Sequence, residues 1–212
     1  MTPAVLTPIL DLLDLAGIAI FALSGAVLAA RLRQTFVTMA FFALVTGVGG
    51  GTVRDLLIGA PVFWIDDPWV AAVCLATALI AWFTPVKWWD GKGFAYADGA
   101  GLAAYAVLGS AKALAYGIPP VPAALMGVMT GCVGGIIRDV VAGRPSIIMS
   151  PELYVTPAAL TSALTVAGML AARLMGLPDE AAWSLAFACG FALRTAAIHW
   201  EWCLPSYGVA SS

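Results

Sequence analysis

The sequence has 212 residues, of which 62% are hydrophobic and 10% are charged, with a mean hydropathy of +0.96. Its net charge of −2 comes from 10 Lys and Arg against 12 Asp and Glu, with no basic run to attract a polyanion. This composition excludes a soluble enzyme, a disordered chain and a nucleic-acid binder, and it predicts a membrane protein.

In chain order, seven apolar runs qualify as spans of the roughly 30 Å hydrocarbon core of a bilayer. Each is predicted to be a helix, because a backbone in lipid must satisfy its own hydrogen bonds. The chain is therefore predicted to be an all-α membrane protein with seven transmembrane helices. The runs are Leu12–Ala30, Phe36–Ile58, Trp69–Phe83, Asp98–Ala115, Val121–Val141, Leu153–Leu174 and Ala181–His199.

Basic residues favour one orientation of these spans. Connections one, three and five carry Lys or Arg, whereas connections two and four carry none. The positive-inside rule then predicts an N-terminus outside and a cytoplasmic C-terminus. The basic residues of the odd connections are Arg31, Arg33, Lys87, Lys92 and Arg144.

An internal repeat relates the two halves of the sequence. The stretch 46–55 resembles the stretch 130–139, which lies 84 residues later, and the same offset pairs Asp14 with Asp98. Each copy contains three spans, and because three is odd, the second copy enters the membrane from the opposite side. Such inverted repeats place a permeation or substrate path at their interface, although purely structural packing of two bundles is the alternative. The predicted organisation is a single membrane domain over 1–212, with repeats at 12–86 and 96–174 and a seventh span at 181–199.

Glycine clusters lie within spans two and five. Each glycine costs a helix about 1 kcal/mol relative to Ala, so the clusters are predicted to break or kink the two spans. Non-helical backbone at membrane depth is tolerated where it lines a wet cavity, and its carbonyls can replace part of a cation's hydration shell. The alternative is close helix packing through small residues. The predicted pore and kink residues are Gly47, Gly49, Gly50, Gly51, Gly131, Gly134 and Gly135.

An Arg-Asp pair follows each glycine cluster. Adjacent residues do not face each other on a helix, so each arginine is expected to need a further partner. Ionisable groups at membrane depth indicate function, and these pairs are predicted either to gate a path or to hold the repeat together as structural ion pairs. The more N-terminal arginine is the weaker gating candidate, because water at the outer interface could solvate it. The candidate pairs are Arg54 with Asp14 or Asp55, and Arg138 with Asp98 or Asp139.

Lys112 has no counterpart in the first repeat, where Leu28 occupies the matching position. No acid is close to it in the sequence. It is therefore expected either to extend its ammonium group to the interface or to respond to the membrane potential.

Small residues recur along spans one and four, at Gly17, Gly25, Gly101 and Gly109. Faces of this kind let helices approach closely in lipid, within a protomer or between protomers. Part of them is expected to lie between protomers.

The two copies of a three-span unit, each with a glycine cluster before Arg-Asp, resemble the prokaryotic trimeric intracellular cation (TRIC) channels. Each unit also resembles the bacterial glycine transporter domain. The resemblance covers about residues 10–200, and its most specific parts are Gly49–Asp55 and Gly134–Asp139.

This resemblance implies a homotrimer in a bacterial cell membrane, in contact with membrane lipid, with one pore per protomer lined by spans two and five. It implies conduction of monovalent cations, mainly K⁺, with no enzymatic activity and no cofactor or metal site. The sequence has no TVGYG filter, so strong K⁺/Na⁺ selection by that device is not expected. A secondary transporter for a small amino acid such as glycine is the alternative function, and a structural membrane scaffold is the third.

Overall fold

The computed structural model describes residues 8–205, with side chains described from Asp14 onward. Those residues form seven α-helices, one for each predicted span, and two short 3-10 turns at Val86–Trp89 and Ile147–Met149. The ends of the predicted domain, 1–7 and 206–212, lie outside the described residues. The helices are α1 Pro8–Arg31, α2 Phe36–Leu57, α3 Pro68–Phe83, α4 Lys92–Ala115, α5 Pro120–Val141, α6 Val155–Met175 and α7 Asp179–Trp200.

Five of the helices, α1, α2, α5, α6 and α7, are long and apolar enough to cross a membrane by length and composition. The apolar helix α3 is shorter, at 16 residues. The fourth helix, α4, is rich in Gly and Ala and contacts α1, α5, α6 and α7. Its low content of large apolar side chains therefore reflects packing against protein, because small residues are what close helix contacts require.

Local signals place most helix ends close to where the sequence predicts them. Thr35 caps α2 by accepting a hydrogen bond from the Thr38 backbone N–H, and Asp67 caps α3 through the Trp69 N–H. The start of α4 is the largest departure. It begins at Lys92, directly after Gly91 with φ +139°, and Asp98 therefore lies in its second turn and not at its start as expected.

The two repeats pack about a pseudo-twofold axis. Phe21 and Tyr105, which occupy matching positions of the repeats, stack with ring centroids 5.0 Å apart and an interplanar angle of 24°. Gly17 makes room for the Tyr105 ring, and its counterpart Gly101 lies against Phe21. The inverted repeat predicted from the sequence is thus a repeat in the packing as well.

The glycine clusters leave both helices unbroken, which corrects the expected interruption. Helices α2 and α5 continue through them because the two helices pack against each other there. A Cβ atom at Gly50 would overlap the Thr130 carbonyl oxygen, and one at Gly134 would overlap that of Thr46. The contact is reciprocal and antiparallel, so the close-packing alternative describes this pair of glycines.

The four glycines named on α1 and α4 make close contacts within one chain, and the expectation that part of the small residues lies between protomers stays a prediction. Gly25 packs on the Phe42 carbonyl group, and Gly109 packs on Thr130. These two glycines bring α1 against α2 and α4 against α5, whereas Gly17 and Gly101, which face the Phe21–Tyr105 stack, bring α1 against α4.

Candidate functional site

The first charge cluster consists of Arg54 and Asp55 near the end of α2, Lys112 of α4 and Asp14 of α1. The Asp55 carboxylate is fully buried, and its Oδ1 atom lies 2.8 Å from Arg54 Nε and 2.8 Å from Lys112 Nζ. Its Oδ2 atom accepts a hydrogen bond from the Phe63 backbone N–H at 3.1 Å. One carboxylate therefore serves two cations, and Asp14 lies close enough to interact electrostatically with Lys112.

The second charge cluster consists of Arg138 and Asp139 near the end of α5, with Asp98 of α4. Arg138 Nε and Nη2 lie 2.9 and 2.8 Å from Asp139 Oδ1, and Arg138 Nη1 donates to the Ser24 hydroxyl group of α1. Asp139 Oδ2 accepts from the Ile147 N–H at 3.0 Å. Ile147 matches Phe63 in the repeat, so the same loop geometry is built twice.

The position of each Asp near the end of its helix explains these pairs. A turn with a glycine at positive φ, Gly59 or Gly143, follows each helix and brings the chain back over it. The Asp carboxylate can then accept from a loop N–H while the neighbouring Arg reaches it from the side. The expectation that adjacent Arg and Asp do not meet was wrong, and the second-named partners, Asp55 and Asp139, are the observed ones.

The fold gives Lys112 a partner that the sequence around it does not contain, because it brings Asp55 to α4 although the two residues are far apart in sequence. One expectation is corrected at the first cluster. Arg54 is 6% exposed, and its side chain is better buried than that of Arg138. Solvation by interfacial water is therefore not a reason to rank Arg54 below Arg138 as a gating candidate.

A residue that sequence reasoning missed completes the surroundings of the second cluster. Arg194 of α7 is 5% exposed, and Arg194, Arg138 and the Tyr154 hydroxyl group all lie close enough to Asp98 to interact with it. Arg194 is the one charged residue within the predicted seventh span. A lone intramembrane charge is a recognised signal of function, and it could have found this residue.

A cavity of about 540 Å³ opens beside the second cluster. Arg138, Asp139 and Ser24 line it, together with Arg31 and Arg144. At Gly135 an added Cβ atom would meet only Arg138 Nη2, at 3.9 Å, so the backbone is open to the arginine there. The second cluster thus faces space, whereas the acid of the first cluster is enclosed.

The predicted glycines divide into two groups. Gly49, Gly50 and Gly134 lie at the contact between α2 and α5. The other four do not meet there: Gly47 packs on Cys74 and Ala22, Gly51 on Phe63, Gly131 on Leu102, and Gly135 is near Arg138 alone. The predicted pore set is therefore brought together only in part.

The glycine contact separates the two clusters. Arg54 and Arg138 each lie about six residues beyond the centre of the antiparallel crossing, in opposite directions, which places them roughly 18 Å apart at 1.5 Å per residue. The order along the molecule is first cluster, glycine contact, second cluster. Fixed charges at both ends of a constriction can control the passage of ions, as in the charged rings of channels.

Comparisons with known proteins identify relatives of the whole chain. The family model described as "Glycine transporter" matches residues 11–85, which hold the first three-helix repeat, and residues 95–191, which hold the second repeat and the first part of α7. A UPF0126 membrane protein of Vibrio cholerae is 36% identical over 96% of this chain and 84% of its own. The UPF0126 inner membrane protein YadS of Escherichia coli is 33% identical over 93% and 95%.

Solved structures share the fold. The TRIC trimeric intracellular cation channel orthologue from Rhodobacter sphaeroides is 36% identical, with a TM-score of 0.80 over 92% of this chain and 99% of its own. A TRIC cation channel whose structure was described for its conductance is 27% identical, with a TM-score of 0.83 over 95% and 98%. Because it has several long apolar helices and its relatives are named as membrane proteins, this chain is a multi-pass membrane protein. Its family and fold are those of transporters and channels and not of enzymes. It belongs to the family whose model is described as the glycine transporter, and it has the fold of the prokaryotic TRIC channels.

Proposed function

We propose that this protein is a channel for monovalent cations, mainly K⁺, with one path in each protomer of a homotrimer. The observation that carries the proposal is the arrangement of two inverted Arg-Asp clusters on either side of the reciprocal glycine contact between α2 and α5. The similarity in sequence and fold to the cation channel orthologue from Rhodobacter sphaeroides supports it.

The path runs along α2 and α5, and the contact at Gly50 and Gly134 is its constriction. Backbone atoms of the two helices touch there, so this conformation is closed to a hydrated ion. Opening requires α2 and α5 to separate or bend. Glycine-rich segments bend at low cost, which gives the clusters a role in movement even though both helices are continuous.

Net charge at the two ends favours cations over anions only if the arginines are neutralised. Asp55 neutralises Arg54, and Asp139 neutralises Arg138. At 4 Å and an effective dielectric constant of about 20, such a pair interacts with roughly 4 kcal/mol, which is enough to couple pair opening to conduction. The pairs are therefore the proposed gating elements, with Lys112 and Asp14 attached to the first and Asp98 to the second.

The proposal places the N-terminus outside and the C-terminus in the cytoplasm, since basic residues concentrate in connections one, three and five. Exposed apolar side chains on α3, α5 and α7 are available for lipid and for the other protomers, with Trp69, Leu125 and Leu185 as examples. Neither a cofactor nor a bound metal is required for passive conduction.

A secondary transporter for a small amino acid such as glycine is the second candidate, and the description of the matching family model favours it. Inverted repeats also occur in transporters, where a substrate site lies between the repeats. In this chain, however, the centre of the α2–α5 interface is filled by backbone contact, and the described cavity lies at one end of α5.

One paired experiment separates the two functions. The purified protein is reconstituted both in planar bilayers with KCl and in proteoliposomes with labelled glycine. A channel gives unitary current steps without substrate saturation, together with no glycine uptake above empty vesicles. Saturable glycine uptake without unitary currents would favour the transporter over the channel. If neither signal is observed, the structural scaffold is the remaining function.

A further inference from the structure

The inverted repeat predicts two equivalent charge clusters, but one position breaks the equivalence. In the first cluster Lys112 contributes a second cation, so that Arg54 and Lys112 face Asp55 and Asp14. The residue that matches Lys112 in the repeat is Leu28, so α1 has no cation at the position that faces Asp139. Arg31 of α1 lines the neighbouring cavity, but it is paired with Asp90 at 2.6 Å. Within the repeats, Arg138 is the residue whose ion pair with Asp139 the described contacts record.

The seventh helix, which has no counterpart in either repeat, reaches this place. Arg194 Nη1 donates to the Leu153 carbonyl oxygen at 2.8 Å, and its guanidinium group stacks 5.0 Å from the centre of the Tyr154 ring. Both Tyr154 and Arg194 lie close enough to Asp98 to interact with it. Among the described residues no hydrogen-bond partner is found for the buried Arg194 Nε atom, so one donor remains available at this point.

The second repeat is also shaped to accept this arginine. A Cβ atom at Gly99 would lie 2.7 Å from Arg194 Cγ, so any larger residue would displace the side chain. The matching residue in the first repeat is Leu15, which directly follows Asp14 as Gly99 follows Asp98. The first repeat therefore has Leu and the second repeat has Gly at the position against which the Arg194 side chain of α7 packs.

We infer that Arg194 is the functional counterpart of Lys112: a positioning residue through which α7 supplies the second cation of the second charge cluster and adds one buried positive charge at that end of the path. This inference rests on the proposed channel function. Each cluster of buried charges then holds two cations and two acids, whereas Arg31, paired with Asp90, and Arg144 lie at the cavity beside the second cluster. The first end draws its second cation from within the repeats, and the second end draws it from the added helix. Glu152, 3.7 Å from Arg194 Nη2, is exposed, and its interaction with the arginine is weakened by solvent.

The test is single-channel recording in symmetrical KCl. Arg194→Gln removes one positive charge from the second end, which raises the local K⁺ concentration there and makes the current rectify relative to the wild type. We expect about a twofold change in the ratio of currents at opposite voltages in about 0.1 M KCl. The change should vanish in about 1 M KCl, where the screening length falls from about 10 Å to about 3 Å.

Matched variants make the result specific to charge and place. Lys112→Gln removes a charge from the other end, so its current should rectify to a similar extent in the opposite direction. The double variant with Arg194→Gln should return to the wild-type current ratio with a higher conductance, because both ends then change together. Asp98→Asn combined with Arg194→Gln should also return to the wild-type ratio. Arg194→Lys keeps the charge and should behave as the wild type. Arg173→Gln, at a half-exposed arginine on α6 paired with Asp179, should leave the current unchanged.

Each outcome decides the matter. Rectification that persists in 1 M KCl, or currents of Arg194→Gln that match Arg173→Gln, would overturn the inference while the channel proposal stands. If Arg194→Gln does not fold, as judged by gel filtration, Arg194→Lys must still match the wild type. Asp98→Asn must then lower the conductance about twofold in 0.1 M KCl, and failure of either result overturns the inference. A wild type without current would refute the channel proposal itself.

Discussion

The two charge clusters share a loop geometry but differ in their surroundings. Both hold an Arg beside an Asp whose second oxygen accepts from a backbone N–H eight residues later. Asp55, however, is fully enclosed between two cations, whereas Asp139 lies beside a cavity of about 540 Å³. The repeat thus fixes the backbone and its hydrogen bonds, while single positions on neighbouring helices determine burial and charge.

Asp55→Asn should have the largest effect. It leaves Arg54 and Lys112 buried without their shared carboxylate, and breaking a buried ion pair in this way costs about 3–5 kcal/mol. Asp139→Asn is the matched variant. It should cost at least about 1 kcal/mol less, because Arg138 can be hydrated from the cavity and keeps its bond to Ser24. Denaturant unfolding in detergent measures both, and equal losses would show that the two clusters are energetically alike.

Gly50→Ala and Gly134→Ala should each destabilise the protein by about 1–3 kcal/mol, because the added methyl group overlaps a backbone carbonyl oxygen across the α2–α5 contact. Here the repeats are alike, so the two losses should agree. Gly135→Ala is the control: its neighbourhood is open, and the substitution should stabilise α5 by up to about 1 kcal/mol. Thermal unfolding checks all three. Loss at Gly135 as large as at Gly134 would refute the assignment of the contact.

Arg138→Ala should change single-channel conductance or open probability by about twofold or more, with the proposed homotrimer retained, because it removes a fixed charge beside the open cavity. Arg54→Ala should also alter the current, but mainly by lowering the stability of the protein. The reason is that Asp55 remains paired with Lys112 after Arg54 is removed. Recordings of purified variants, with oligomeric state followed by crosslinking, provide the measurement. Wild-type currents from both variants would reduce the arginines to structural ion pairs.

Ser24→Ala should have the smallest effect. It removes one hydrogen bond to a charged group, which contributes about 1.5–3 kcal/mol when buried and less beside a water-accessible cavity. The loss should therefore lie near about 1 kcal/mol, and Ser184→Ala on the exposed face of α7 should cost less than about 0.5 kcal/mol. Chemical unfolding distinguishes the two. Because Leu108 occupies the matching position in the second repeat, the first cluster offers no equivalent bond to remove.

The sequence predicts the helices and the inverted repeat well, because both depend on apolar runs and on residue types at a constant offset. It also selects the residues of the two Arg-Asp pairs. It does not predict that Lys112 reaches Asp55, because that contact depends on how α4 packs against α2. Arg194 was missed for a related reason: the repeat drew attention to positions with a counterpart, and α7 has none.

The glycine clusters show where a propensity argument reaches its limit. Glycine disfavours an isolated helix. Gly50 and Gly134 nevertheless lie in helices, because the packing of α2 against α5 contributes the stability that their low helix propensity does not. The sequence alone contains both alternatives, kink and contact. Only the position of the facing carbonyl oxygens of Thr46 and Thr130 favours the contact in this conformation.

The reciprocal contact between Gly50 and Thr130 and between Gly134 and Thr46 has the form of an isologous interface, in which one surface patch recognises a second copy of itself. A three-helix unit that carries Gly and Thr at these positions is self-complementary when its partner is inserted the other way up. Joining two such units in one chain leaves this shared surface unchanged and frees the remaining positions from symmetry. Leu15 and Gly99, and Leu28 and Lys112, are positions where that freedom has been used.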